Sequence, residues 1–349
     1  MKTLQQFSKK YVSGFIMLLL LMSITYWYIF RNCEVEDLLV IISDSEYKYL
    51  IVGVLMVLIY IWLEGVNLHI LGQSLGIKVG RIRGFCYACI DIYFCGITPS
   101  ATGGQPVLAY YMNRDDIPIS KSTIIILLYT VMYKIVLLLL SLGVLVVHLD
   151  FIRETKVTTF LYVLGIVVNI VIVSVCLLCM YSRKIVKRIV VKTLTLLAKL
   201  RLVKQLDNKL NAFYDYLEDY HKSARFMKEN RKILLKVAVA TFAQRLALFF
   251  VGFLVYRSFG LSSLSFLDIL SLQVVIAITV DTLPLPGGVG VSEAMFFLLY
   301  TKVYNPDFIM PAMVLTRGIS FYLMILVCGI VTMGYHIISV KPSKVLKGE

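Results

Sequence analysis

Six long apolar runs restrict what this chain can fold into more than any other feature does. A helix needs ~20 mostly apolar residues to cross a hydrocarbon core about 30 Å thick. Runs of that length lie near 11–30, 48–71, 121–148, 157–181, 237–257 and 308–338. Two of them, 11–30 and 157–181, carry no charged residue. Composition agrees: 59% of the chain is apolar and 16% charged, where soluble domains hold about 45–50% and about 25%. The expected fold class is an all-α polytopic membrane protein, with residues 1–340 forming a single integral membrane domain.

The first run competes with a cleaved signal peptide. It is longer than the usual signal core, no small-residue cleavage pattern follows it, and it ends in the interface-seeking cluster Tyr26, Trp27 and Tyr28. It therefore reads as a retained anchor.

Orientation follows from Lys and Arg in the short loops. Lys2, Lys9 and Lys10 precede the first run, whereas 31–47 holds five acidic residues and only Arg31. Lys78, Arg81 and Arg83 stand without an acid between 72 and 83, and 182–232 carries fourteen Lys/Arg against five Asp/Glu. Lys341, Lys344 and Lys347 close the 341–349 tail. Both termini and the long basic segment are thus expected in the cytoplasm. The net charge of +14 is mostly this bias, so no nucleic-acid partner is implied. Within the basic segment, Ile185, Ile189, Val190, Leu194 and Leu197 can share one helix face above lysines and arginines. That pattern suits an anionic lipid surface, and equally a solvated connector.

Two further apolar regions are interrupted by glycine and proline. One spans 84–116 and centres on Thr98-Pro-Ser-Ala-Thr-Gly-Gly-Gln-Pro106. The other spans 267–300 and centres on Thr282-Leu-Pro-Leu-Pro-Gly-Gly-Val-Gly290. Each threonine is followed five and six residues later by a glycine pair: Gly103 and Gly104, then Gly287 and Gly288. Broken backbone cannot face lipid, because its N–H and C=O groups would go unpaired there. Both regions are read as re-entrant helical hairpins. Residues 48–148 then form span, inner hairpin, span, and 237–338 form span, outer hairpin, span in the opposite sense. Such an inverted repeat places a site near the midplane, where the halves meet.

TPSATGGQPVLAYYM (98–112) and PLPGGVGVSEAMF (284–296) resemble the signatures of the membrane region of the lysylphosphatidylglycerol synthase/flippase family. The resemblance covers about 10–340. It implies a multi-pass cell-membrane protein that translocates lipid. Fused family members add a cytoplasmic domain that moves an aminoacyl group from charged tRNA to phosphatidylglycerol, with resistance to cationic antimicrobial peptides as the outcome. The longest polar stretch here, 182–232, is too short for such a domain, so the translocating half is expected without the synthase half.

The candidate site residues are intramembrane charges and the residues of the two breaks. A charge at the bilayer centre costs about 2.5–3.5 kcal/mol on insertion scales, so it is usually paired or functional. Glu64, Asp91, Lys134, Arg245, Asp281, Glu293 and Arg317 qualify. The arginine forks of Arg245 and Arg317 match phosphate. Glu293 and Asp281 are expected to pair with an arginine or to accept a headgroup amine. Gly103, Gly104, Gly287 and Gly288 let the chain turn and other groups approach. Pro106 suits a restarting helix, and Ser292 or nearby backbone suits the cap of the second. Two helix N-termini at mid-depth would attract a lipid phosphate. Thr98, Thr102, Gln105 and Thr282 are read as lining the same cavity. Ion pairs that hold the bundle, and glycines that permit tight packing, explain the same residues without a substrate.

Cys86-x-x-Cys89 and Cys176-x-x-Cys179 lie in apolar segments without a histidine nearby, and read as small helix filler. His69, His148, His221 and His336 are scattered. No metal, cofactor, catalytic triad or nucleotide loop is expected. The leading expectation is therefore a flippase-like lipid translocase, not an enzyme. It would move an anionic, aminoacylated or polyprenyl-phosphate-linked lipid between leaflets. Phosphatidylglycerol lysyltransfer with the catalytic domain supplied in trans, small-solute transport, and a structural partner for another enzyme stay as alternatives. Homodimerisation and a separate synthase partner are left open.

Overall fold

The computed structural model describes residues 40–148, 155–182, 187, 188, 191 and 206–339. The expected span at 11–30, the helix face at 185–197 and the 341–349 tail fall mostly or wholly outside these residues. Among the described residues the chain is all helical, with no strand.

Among the described residues, five helical stretches are long and apolar enough to cross a membrane. They are α1 (Tyr47–Ser74), α4 (Ile119–Val147), α5 (Lys156–Tyr181), α7 (Arg231–Ser258), and the pair α10 (Pro306–Arg317) and α11 (Met324–Ile338), which form one continuous run. At 1.5 Å per residue, 28 residues in α1 give a length of roughly 42 Å, beyond the thickness of a hydrocarbon core. Only 22% of the most apolar window of α5 is buried, and Val157, Phe160, Val163, Val167 and Val171 are exposed along it. In water that surface would be a liability; in lipid it is the outer wall of the bundle. The last stretch is less regular than its sequence suggests. Pro311 sits inside α10, and a π-helical turn, Gly318–Leu323, joins it to α11. Such wide turns often occur at functional positions.

Between the spans lie two helix–break–helix units. The first runs α2 (Arg81–Ile97), a 3₁₀ turn Pro99–Ala101, and α3 (Gly104–Arg114); the second runs α8 (Phe266–Val280), a 3₁₀ turn Pro286–Gly288, and α9 (Val291–Tyr300). Prolines set the breaks. A residue before proline is pushed out of the helical region, and Thr98 (φ −116°, ψ 146°) and Leu285 (φ −110°, ψ 138°) are both extended.

The elements pack reciprocally. α1 lies along α7, and the two 3₁₀ tips touch each other. α2 of the first unit packs on α11, while α8 of the second packs on α4. Gly65 of α1 brings that helix against the backbone of Gly84 and Phe85 in α2, the small-residue contact that lets apolar helices approach closely. α6 (Leu206–Glu229) docks across α4, α5 and α7, where the Tyr220 hydroxyl donates to the Cys179 carbonyl at 3.2 Å.

Candidate functional site

Two cavities meet at the touching tips. The larger, about 550 Å³, is walled by Tyr60 and Glu64 of α1, Asp91 and Cys95 of α2, Thr102 and Gln105 at the first tip, Tyr133 and Lys134 of α4, Arg245 of α7, and Asp281 with Thr282 at the end of α8. The smaller, about 270 Å³, is walled by the second tip (Gly287, Gly288), Ser292, Arg317 and Gln273. Tyr133, Asp281 and Phe321 border both.

The breaks are shaped by short hydrogen bonds. Thr98 donates to the Phe94 carbonyl at 2.6 Å and accepts from the Gly103 N–H at 2.9 Å, which closes the first tip on itself. Thr102 bonds the Pro99 carbonyl at 2.9 Å, and Thr282 bonds the Thr279 carbonyl at 2.8 Å. A side chain at Gly104 would collide with the carboxylate and carbonyl of Asp91 and with the Cys95 sulfur, so glycine is what lets the start of α3 rest on Asp91. At the second tip Gly287 has φ 57° and faces the Phe321 ring, and Gly288 packs on Val280. Gln105 reaches across to Thr130 of α4 at 3.0 Å. No side chain caps α3. α9 differs from the expectation that Ser292 or nearby backbone caps it. Glu293 reaches back to the Gly290 N–H at 2.7 Å, and Ser292 instead donates to Gly288 and to Glu293.

The expected intramembrane charges divide into two paired sets and one unpaired group. Arg317 Nε meets Glu293 Oε1 at 2.9 Å, its Nη2 donates to the Gly287 carbonyl at 3.1 Å, and its guanidinium lies 4.3 Å from the Phe321 ring centre. Glu293 is fully buried. Its oxygens take bonds from Arg317, Ser292, the Gly290 N–H and, at 3.4 Å, Tyr322. The pair therefore staples α10 to the second tip. Lys134 pairs with Asp281, which ties α4 to the end of α8 between the cavities.

Arg245 is different. It is 5% exposed and makes no ion pair with a carboxylate among the described residues. Nη2 donates to the Tyr60 hydroxyl at 2.8 Å, and Nε has no acceptor. The guanidinium lies 3.9 Å from the Tyr133 ring centre and 5.1 Å from that of Tyr60. Aromatic faces stabilise a cation by about 0.5–2 kcal/mol but do not neutralise it. A buried guanidinium with an unused donor thus lines the larger cavity.

The structure thus brings Asp91, Gln105, Lys134, Arg245, Asp281 and Thr282 to one cavity and Arg317, Gly287 and Gly288 to the next. Gly103 and Thr98 sit in the tip itself, and Glu293 sits behind Arg317. Sequence reasoning missed Tyr60, Tyr129, Tyr133 and Gln244. Tyrosine is common in membrane helices, so only their four-residue spacing on α1 and α4 marks them: Tyr60 with Glu64, Tyr129 with Tyr133. Six cysteines among the described residues are free thiols, and no group of three His, Cys, Asp or Glu there is placed to hold a metal. A protein family described as the lysylphosphatidylglycerol synthase TM region matches residues 14–328. No curated protein matches the chain.

Proposed function

Because this chain belongs to the lysylphosphatidylglycerol synthase transmembrane-region family, a multi-pass membrane family tied to lipid, we propose that it translocates a lipid with an anionic headgroup phosphate between leaflets. The observation that carries this reading is Arg245, a buried guanidinium without a carboxylate partner that faces a cavity of about 550 Å³. A charge in the membrane interior without an ion-pair partner is expensive to keep, and a headgroup phosphate would satisfy it in the forked geometry arginine favours. Aminoacylated phosphatidylglycerol and polyprenyl-phosphate lipids carry the same group.

In this reading the two helix–break–helix units are re-entrant hairpins, and 48–148 and 237–338 are inverted-repeat halves. The reciprocal packing of α2 on α11 and α8 on α4 supports a two-fold relation between the halves. The headgroup enters the cavity while the acyl chains stay in lipid. Asp281, held by Lys134, and Phe321 border both cavities and form the partition it must pass. Both termini lie in the cytoplasm, at the cell membrane.

The test is reconstitution into liposomes with headgroup-labelled phosphatidylglycerol, lysylphosphatidylglycerol or a polyprenyl-phosphate lipid, read by an impermeant quencher. Wild type should exchange at least one of them. Arg245→Ala, checked for a monodisperse elution profile, should exchange it at least about tenfold more slowly, the factor that corresponds to about 1.4 kcal/mol. No exchange of any of the three by wild type would sink the reading and favour a small solute.

A further inference from the structure

The end of the bundle where α5 stops and α7 begins carries a pocket separate from the cavities at the tips. It is about 690 Å³ and is lined by Tyr181 at the end of α5, by His221, Arg225, Lys228 and Glu229 of α6, and by Arg231 at the start of α7. It shares no lining residue with the larger cavity. α6 packs on both α5 and α7, so one pocket joins side chains from all three elements.

Three cations outnumber Glu229, so the pocket is net positive with His221 neutral. Arg225 Nε meets Glu229 Oε1 at 3.1 Å, an exposed pair one helical turn apart, the kind that solvent screens and a phosphate can displace. Lys228 Nζ lies 5.3 Å from the Tyr181 ring centre. Neither Lys228 nor Arg231 pairs with a carboxylate among the described residues. Exposed apolar surface leads to the pocket along two helices. On α5, Val167, Val171, Val175 and Leu178 are exposed at helical spacing, and the stripe ends at Tyr181. On α7, Phe242, Val239 and Leu235 are exposed in the same way, and Arg231 lies one turn beyond Leu235. The cations therefore stand where the hydrocarbon-facing surface ends, at the depth of a headgroup, with a tyrosine at the boundary as the interface favours.

We propose that this pocket binds the headgroup phosphate of an anionic phospholipid, whose acyl chains lie along the exposed stripes of α5 and α7. A basic pocket between membrane helices sets charges close to the phosphate, and the leaflet supplies the lipid at high local concentration. Lys228 acts as a point charge, and Arg231 offers a fork. A free phosphate carries the same group but has no chain to cover the stripes, so the lipid is the occupant. A solvated connector would need neither the two stripes nor a pocket of cations where they end. The assignment does not depend on lipid translocation.

The test places the full chain in phosphatidylcholine vesicles, with Trp27→Phe and Trp62→Phe to remove the native tryptophans and Tyr181→Trp as the reporter. Quenching by phosphatidylglycerol brominated high in its acyl chain is compared with quenching by phosphatidylcholine brominated at the same carbons. Phosphatidylglycerol should be preferred at least about fivefold, the factor that one cation near an anionic surface supplies. Adding Lys228→Gln and Arg231→Gln together should bring the two lipids within about twofold of each other, whereas adding Arg245→Ala should leave the preference intact. A protein carrying Trp27→Phe alone keeps Trp62, half-exposed on α1, and should show no such preference. Equal quenching by both lipids at the reporter, or the same preference at Trp62, overturns the site. So does a preference that survives the double substitution or that depends on Arg245. Millimolar inorganic phosphate should leave the preference as sodium chloride of equal ionic strength leaves it; a preference that phosphate alone abolishes assigns the pocket to a soluble anion instead.

Discussion

Arg317 and Arg245 are guanidinium groups sunk in apolar helices, yet they stand in opposite situations. Arg317 is bonded to a fully buried carboxylate and to the backbone of the second tip; Arg245 lines a cavity and has an Nε without a hydrogen-bond partner. Their substitutions should therefore fail in different ways. Arg317→Ala strands Glu293 as a buried charge, and breaking such a pair from one side typically costs about 3–5 kcal/mol. Its melting temperature in detergent should fall well below that of wild type, and adding Glu293→Gln should restore part of the loss, since the second change removes the orphaned charge. An Arg317→Ala protein as stable as wild type would show that the pair is not a staple. Arg245→Ala should change stability far less while slowing exchange. The rarity of charge in these helices made both arginines visible in the sequence. Which carboxylate Arg317 meets, and that Arg245 meets none in an ion pair among the described residues, was not visible, because the partner of Arg317 lies on a helix 24 residues away.

At the scale of elements, the two breaks depend on close approach. The first tip closes through Thr98, and its restart at Gly104 rests on Asp91 and Cys95. Gly104→Ala should destabilise the protein by roughly 1–3 kcal/mol, the usual cost of overpacking. Gly80→Ala, with nothing near its added methyl, should be close to neutral. Thermal unfolding of the two variants side by side checks this; equal melting temperatures would mean that the tip yields. Thr-x₄-Gly-Gly spacing and the flanking prolines were enough to find both breaks, and the apolar runs placed five of the six expected spans, the largest offset being the start of α7 at Arg231 against 237. The capping of α9 was not readable in the same way. Ser292 and Glu293 are both credible cap residues, and the positive φ of Gly290, 89°, is what turns its N–H toward Glu293. The π-helical turn after Arg317 likewise has no distinct local signature.

Contacts cross between 48–148 and 237–338, where α2 packs on α11 and α8 on α4. If 48–148 and 237–338 are oppositely inserted, the two break-bearing units must open to opposite sides of the membrane. In a cysteine-free background, Asn113→Cys and Ser262→Cys are both exposed positions outside the apolar cores. With an impermeant maleimide added to intact cells, Ser262→Cys should label and Asn113→Cys should label only after permeabilisation. Labelling of both from the same side would remove the inverted arrangement, and with it the expectation of a site at mid-depth between the halves.

Sequence alone determined that this chain lives in lipid, where five of its spans run, where the two breaks fall, and which charges are anomalous. These follow from the cost of exposing backbone or charge to hydrocarbon, and that cost is paid locally, residue by residue. Tertiary structure alone decided that Arg317 and Glu293 are spent on each other, that Lys134 closes on Asp281, and that Arg245 is left facing a cavity beside two acids. Those outcomes depend on distances between residues far apart in the chain, such as Glu64 and Gln244, and such distances exist only once α1 and α7 have packed together.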